Sequence, residues 1–171
     1  MGQIAVGAAE KPVVVGLGEV KVSVSADEVL TCLGLGSCIC VAAFDPVRKA
    51  GGMAHIVLPE SPPLNGAVPN PKFANVAVPK LLADLEGIGA LRSRLVVRIA
   101  GGAHMMQLWK KDAATLQIGE RNIAATKAAL HAAGVRIVAE ETGGSNGRTV
   151  RLWAESGKVT VAGVGQVPKI L

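Results

Sequence analysis

Hydrophobic and polar residues alternate over segment 19–25, where three valines are separated by polar side chains. This two-residue period is typical of a β-strand that buries one face. The segments 38–44 and 53–58 are instead almost continuously apolar, and turn-forming residues bound each of them. We expect both to be buried strands that pair antiparallel through a short connection, with Gly51 and Gly52 in the turn.

A proline-rich segment, 59–71, separates these strands from the first helical pattern. It holds five of the nine prolines, so we expect a long loop there and no regular element. Apolar residues recur with helical spacing over 73–85, and Pro79 predicts either a kink or a helix that begins near it. A second helix is predicted for 119–133, with Gly134 as its C-terminal cap.

Four further apolar segments, bounded by turn residues, complete the predicted strands: 95–100, 135–139, 149–153 and 159–162. The pattern as a whole predicts about eight strands and two helices. Because no internal repeat and no linker divides the chain, we expect one domain over residues 1–171. Hairpin-like connections between so many strands favour the α+β class, with helices packed on β-sheet layers.

The composition narrows the range of possible functions. The chain of 171 residues has a net charge of +5, but its basic residues are scattered, and it contains two Trp, two Phe and no Tyr. Proteins that bind nucleic acid usually combine a basic stripe with aromatic side chains that stack on bases. We therefore predict no nucleic-acid partner, whereas an acidic protein partner is compatible with the charge.

The three cysteines lie close together, at Cys32, Cys38 and Cys40. Their odd number and spacing do not match a disulfide framework, which favours a reducing compartment and a cytoplasmic location. The spacing of cysteines and histidines fits no common zinc site, so we predict no metal ion. The N-terminal residues lack the regions of a signal peptide, and no apolar run reaches the length of a membrane span. We therefore expect no membrane insertion.

The sequence LGLGSC places Cys38 on a bend of glycine and serine. It resembles half of a dinucleotide-binding fingerprint, but the third glycine is missing and a strand follows where a helix should begin, so the sequence gives little support to nucleotide binding.

The same bend could instead carry a nucleophile. A thiolate nucleophile needs a base or a cation beside it, and His55 on the neighbouring predicted strand could reach Cys38. The alternative, which spacing alone favours, is a core thiol and a histidine bonded to a carbonyl. His131 is predicted on a helix surface and His104 on a loop.

The segments LGLGSC and GGMAHIVLPES together resemble the chemoreceptor glutamine deamidase family, the CheD proteins of bacterial and archaeal chemotaxis. Four later segments resemble family segments in the same order: KFANVAV, RIAGGAHMM, IGERNIAATKAAL and EETGGSNGRTVRL. The resemblance extends from about Gly16 to Val161. It implies mixed β-sheet layers flanked by helices, similar to the cysteine deamidases of the bacterial cytotoxic toxin type.

The resemblance also implies an enzyme, a protein-glutamine glutaminase that acts on selected glutamine side chains of methyl-accepting chemotaxis receptors. Cys38 falls on the family's nucleophile and His55 on its general base, and backbone N–H groups of Gly36 and Ser37 would hold the oxyanion. No cofactor is implied. The expected partners are the receptors and, in addition, a CheC-type phosphatase.

One position departs from the family pattern. Where the family has a threonine, thought to orient the histidine, this chain has Cys32, and Thr31 lies one residue earlier. Adjacent side chains of a strand point to opposite faces, so we expect Thr31 to face away from the site. Because a thiol is a weak hydrogen-bond partner, we expect Cys32 to orient the ring poorly, unless a backbone carbonyl already holds it. This leaves a second hypothesis, a non-catalytic chemotaxis regulator that binds receptors or a CheC-type phosphatase.

Overall fold

The computed structural model of the protein describes residues 9–104 and 117–171, and within them the chain forms ten strands and two α-helices. The strands are β1 (Lys11–Val14), β2 (Val20–Ser23), β3 (Glu28–Leu35), β4 (Ile39–Asp45), β5 (Ala50–Ile56), β6 (Val96–Gly101), β7 (Ile137–Thr142), β8 (Arg148–Trp153), β9 (Val159–Gly163) and β10 (Lys169–Ile170). The helices are α1 (Ala74–Gly87) and α2 (Ile118–Ala132), and a turn of 3-10 helix covers Arg92–Arg94. Residues 1–8, considered above for a signal peptide, and Met105-Met106 of RIAGGAHMM lie outside the described residues.

The strands form two five-stranded sheets, in the orders β1-β3-β8-β9-β10 and β2-β5-β4-β6-β7. Both sheets are mixed, because β1 pairs with β3 in parallel and β6 with β7 in parallel, whereas the other pairs are antiparallel. One hydrophobic core lies between the two sheets, and a second lies between the second sheet and the helices. The predicted α+β class with mixed sheet layers is therefore confirmed, and the similarity to the toxin deamidases stays a prediction.

Strand β4 is buried on both faces, which explains why its sequence is almost continuously apolar. Ile39 and Val41 belong to the core beneath the helices, whereas Cys40 and Ala42 belong to the core between the sheets. As predicted, β4 pairs antiparallel with β5, and a short turn, 46–49, joins them. Every side chain of β4 from Ile39 to Phe44 therefore belongs to one of the two cores.

The prediction that Gly51 and Gly52 form this turn is wrong, because both lie inside β5. A β-carbon on Gly52 would lie 2.8 Å from Cδ1 of Leu81 in α1, and one on Gly51 would lie 3.2 Å from Cδ2 of Leu152 in β8. The two glycines thus let the helix layer and the first sheet pack closely on opposite faces of β5.

Both predicted helices are present. Helix α1 begins at Ala74 and continues through Pro79, so the proline does not mark its start. Helix α2 begins one residue earlier than predicted, and Gly134 beyond its end has a φ of 71°, as a glycine cap requires. The proline-rich segment 59–71 contains neither strand nor helix, as predicted. No helix within the described residues is both long and apolar enough to cross a membrane.

The strands β1, β3 and β10 do not correspond to any of the predicted strand segments, although Thr31 and Cys32 were expected on a strand, and β3 matters most because it carries Cys32. Its backbone has a φ of 61° at Gly34, and its pairing with β8 shifts register between Cys32 and Leu35. Such a β-bulge interrupts the two-residue alternation of side chains. The sequence therefore resembles a turn at a place where the structure has a bulged strand.

The buried carboxylate of Asp45 organises one end of β4. It accepts hydrogen bonds from the backbone N–H groups of Val47 at 2.9 Å, Arg48 at 3.1 Å and Leu91 at 2.8 Å. The Arg94 guanidinium binds both carboxylate oxygens, with Nη2 2.7 Å from Oδ2. Asp45 thus connects the turn between β4 and β5 to the 3-10 helix.

We expect Asp45→Ala to lower the free energy of unfolding by about 3 kcal/mol, because it leaves backbone donors and a guanidinium without their acceptor. Urea unfolding at neutral pH measures the change. Since Asp45 and Cys38 lie at opposite ends of β4, iodoacetamide should alkylate Cys38 in the folded variant at the wild-type rate. An unchanged unfolding midpoint would contradict this role of Asp45.

Candidate active site

Cys38 lies where the chain passes from the first sheet to the second. The turn Gly36–Cys38 connects the end of β3 to the start of β4. Cys38 is half-buried, Cys32 and Cys40 are buried, and all three thiols are free. Of the three, Cys38 is therefore the thiol that a substrate or a reagent in solution can reach.

The turn is held by the segment that follows β6. The Gly36 carbonyl accepts a hydrogen bond from the Ala103 N–H at 2.8 Å, and the Cys38 carbonyl accepts one from the Gly102 N–H at 2.9 Å. Gly101 has a φ of 117° and passes so close to the Cys38 carbonyl that a β-carbon on it would collide with that oxygen. A glycine is thus required at position 101 for this approach.

Asn122 of α2 supplies the third contact to the turn. Its side chain is fully buried, and Nδ2 donates to the carbonyl oxygens of Ser37 and Val57, each at 2.9 Å. This residue is not among those predicted from the sequence. The one available signal was a polar side chain on the buried stripe of α2, between Gly119 and Leu130, a place where a core-facing helix normally carries an apolar residue.

His55 lies in β5, directly across from Cys40 in β4, and its side chain is buried. Nδ1 of the ring lies 3.0 Å from the carbonyl oxygen of Val15. Because a carbonyl only accepts hydrogen bonds, Nδ1 carries the proton, which leaves Nε2 for the thiols. The backbone carbonyl considered above as an alternative support for the ring is therefore present.

Cys32 is the third group beside the ring. Its side chain lies in the core between the sheets, where it interacts with Cys40 and His55. Thr31 does not reach the ring, since its hydroxyl donates to the Val29 carbonyl at 3.2 Å, in agreement with the alternation of side chains along a strand. No described residue gives Nε2 of His55 a hydrogen bond of regular geometry, so the thiols contact it loosely, as is common before substrate binds.

The thiols and the imidazole shift one another's pKa. Burial lowers the pKa of His55, but interactions with the thiols of Cys32 and Cys38 and with the Val15 carbonyl outweigh burial and raise it to about 10. The Cys40 thiol and the His55 imidazolium lower the pKa of Cys32 to about 6, although burial opposes this shift. Burial raises the pKa of Cys40 well above its ordinary value. The directions of the shifts at His55 and Cys32 both favour an imidazolium beside a Cys32 thiolate.

The other two histidines lie apart from this cluster. His104 follows β6 in a loop, as predicted, with Nε2 3.3 Å from Oε1 of Glu120. His131 is exposed on α2, also as predicted. Across residues 9–104 and 117–171, no group of three or more His, Cys, Asp or Glu side chains is placed to hold a metal ion.

Comparison with known proteins connects this chain to chemotaxis. The profile of the family described as "CheD chemotactic sensory transduction" matches residues 57–163. A protein of Symbiobacterium thermophilum named "Probable chemoreceptor glutamine deamidase CheD" is 46% identical over 153 residues, 89% of this chain and 92% of that protein. Proteins of the same name from Desulforamulus reducens and Methanococcus vannielii are 39% identical over 99% of this chain and 99% of that protein, and 40% identical over 91% and 97%.

The charge pair between Cys32 and His55 predicts the effect of Cys32→Thr on the titration of the ring. A hydroxyl carries no negative charge at neutral pH, so the variant should lower the pKa of His55 from about 10 towards the ordinary value of 6.5. NMR titration of the ring measures the shift. Thr31→Ser, on the other face of β3, is the matched control and should change nothing. An identical His55 titration in wild type and Cys32→Thr would contradict the pair.

Proposed function

The chain belongs to the CheD family of chemotaxis proteins, and on that premise we propose that it is a protein-glutamine deamidase of chemotaxis receptors. The reaction converts selected glutamine side chains of methyl-accepting receptors to glutamate and releases ammonia. The relatives' names state receptor deamidation for those proteins. For this chain, the observation that carries the proposal is that a half-buried thiol, Cys38, interacts with the buried imidazole of His55, whose Nδ1 is bonded to the Val15 carbonyl.

Cys38 is the proposed nucleophile. In the protonation state in which Cys38 rather than Cys32 carries the negative charge beside the His55 imidazolium, the Cys38 sulfur attacks the carbon of the glutamine carboxamide, and the carbonyl oxygen becomes an oxyanion. We assign the oxyanion to backbone N–H groups of the turn Gly36–Cys38. The support for this assignment is that no described residue accepts a hydrogen bond from the N–H of Ser37 or of Cys38, so both remain available to a substrate.

His55 moves the protons. The imidazolium gives its Nε2 proton to the departing nitrogen, so the C–N bond breaks, ammonia leaves and a thioester forms on Cys38. The neutral ring then takes a proton from water, whose oxygen attacks the thioester and releases glutamate and the thiol. The bond from Nδ1 to the Val15 carbonyl fixes the tautomer in which Nε2 does this work.

The proposal includes a cytoplasmic location and a CheC-type phosphatase as a further partner. Three free cysteines within nine residues support a reducing compartment, because closely spaced thiols persist where disulfides do not form.

Incubation of the protein with a receptor cytoplasmic fragment tests the activity itself, since mass spectrometry detects each Gln→Glu conversion. An unchanged receptor fragment would support the alternative of a non-catalytic regulator.

Cys38→Ala should abolish deamidation of the receptor fragment while the protein still folds, because the variant has no sulfur that can attack the carboxamide. Mass spectrometry of the fragment measures the remaining turnover. Cys40→Ala is the matched control, a thiol two residues away that is buried and faces the other sheet, and it should mainly reduce stability through a small cavity. Turnover by Cys38→Ala would refute the assignment.

Cys32→Thr should increase the deamidation rate several-fold. Ring orientation is not the reason, because the Val15 carbonyl already holds His55. The reason is that Cys32 competes with Cys38 for the imidazolium, and its removal leaves Cys38 as the thiol beside the ring. Single-turnover kinetics on the receptor fragment and the rate of Cys38 alkylation by iodoacetamide should rise together. A lower rate in both assays would show that Cys32 takes part in the reaction.

A further inference from the structure

Asn122 joins the two segments that carry the proposed nucleophile and base. It lies on α2, is fully buried, and donates both hydrogens of Nδ2, one to the Ser37 carbonyl and one to the Val57 carbonyl, each at 2.9 Å. Ser37 directly precedes Cys38, and Val57 follows His55 by two residues. One side chain from a distant helix thus contacts the backbone beside both groups.

The bond to Ser37 fixes the direction of the Cys38 N–H. The Ser37 carbonyl and the Cys38 N–H belong to one peptide plane, and this peptide is trans. In a planar trans peptide the C=O and the N–H point in opposite directions. While the carbonyl is bonded to Asn122, the N–H therefore points away from α2, and no described residue accepts a hydrogen bond from it.

The carbonyls on either side of Ser37 are held as well. The Gly36 carbonyl is bonded to the Ala103 N–H and the Cys38 carbonyl to the Gly102 N–H. These two bonds come from backbone atoms, which substitution does not remove. Asn122 is therefore the one side chain, among the described residues, that sets the orientation of the turn.

An asparagine at this position is poorly suited to stability alone. Its Oδ1 is buried, and no described residue donates a hydrogen bond to it. Burying a carbonyl without a hydrogen-bond donor lowers the stability of the fold. An apolar side chain of similar size would avoid this free-energy cost. What the apolar side chain lacks is the pair of donors that reach Ser37 and Val57.

We propose that Asn122 is a positioning residue for the deamidation, which orients the peptide between Ser37 and Cys38 so that the Cys38 N–H faces the oxyanion. This inference rests on the proposed function. Asn122 itself touches neither the substrate nor the thiol. It acts through the backbone of the turn, and its loss should affect the formation of the oxyanion more than the reactivity of the sulfur.

The test compares two reactions of the same thiol. Asn122→Leu retains the volume and removes both donors, and Asn122→Ser is a second variant, whose side chain is too short for the Ser37 carbonyl. In both we expect kcat for the receptor fragment to fall by about 10- to 100-fold, with KM within about threefold, because a misdirected oxyanion donor loses part of the roughly 100- to 1,000-fold that its complete removal costs. Alkylation of Cys38 by iodoacetamide forms no oxyanion, so its rate and pH profile should stay at the wild-type values.

Thr126 provides the matched control. It lies one turn further along the same buried stripe of α2, is fully buried, and has a hydroxyl for which the described chain offers no partner. Thr126→Val should therefore leave both reactions unchanged. Urea unfolding of each variant confirms that the kinetics report folded protein.

Each outcome decides the proposal. Wild-type kcat in folded Asn122→Leu or Asn122→Ser would overturn the inference and leave the proposed function intact. Equal losses of kcat and of the alkylation rate would also overturn it. They would show that Asn122 keeps the Cys38 thiol reactive and does not act mainly by orienting the Cys38 N–H. If wild-type protein left the receptor fragment unchanged, the proposed function would fail, and the inference with it.

Discussion

The site depends on a turn that takes the chain from one sheet to the other within the three residues Gly36–Cys38. A turn between packed layers exposes backbone groups where water is scarce, and each of them needs a partner. Ala103, Gly102 and Asn122 provide partners for the three carbonyls. The carbonyls are thus directed into the protein, which leaves the N–H groups of the turn and the Cys38 sulfur at the accessible side. In the proposed mechanism, this one packing requirement provides both the nucleophile and its oxyanion donors.

The second constraint is electrostatic. Two sulfurs, Cys32 on the first sheet and Cys38 at the start of β4, share one imidazole. Cys32, the more deeply buried of the two, raises the pKa of His55 more than Cys38 does, and the Cys40 thiol also stabilises a negative charge on Cys32. A hydroxyl at position 32 could not take that charge at neutral pH. Cys32, where the resemblance implies a threonine, therefore adds a group that can carry negative charge beside the ring, while the Val15 carbonyl holds the ring itself.

The features that could be predicted from the sequence are those that side chains encode directly. The continuous apolar runs of β4 and β5 reflect burial on two faces. The pair of Cys38 and His55 followed only from the family resemblance, because spacing alone favoured a core thiol. Strand β3 was missed because the bulge at Gly34 interrupts its alternation. A backbone carbonyl was anticipated as a support for His55, but its identity, Val15, could not be predicted, since a backbone acceptor has no sequence signature. Asn122 was missed because its role depends on two tertiary contacts.

The most direct test of the central claim, that Cys38 is the nucleophile, is to trap the covalent intermediate. Wild-type protein is mixed with a receptor cytoplasmic fragment, quenched in acid within one turnover, and digested for mass spectrometry. The account predicts a thioester between a receptor glutamyl group and the peptide that contains Cys38, at the sulfur of Cys38 and of no other cysteine. Deamidated receptor without any such adduct, or an adduct on Cys32 or Cys40, would contradict it.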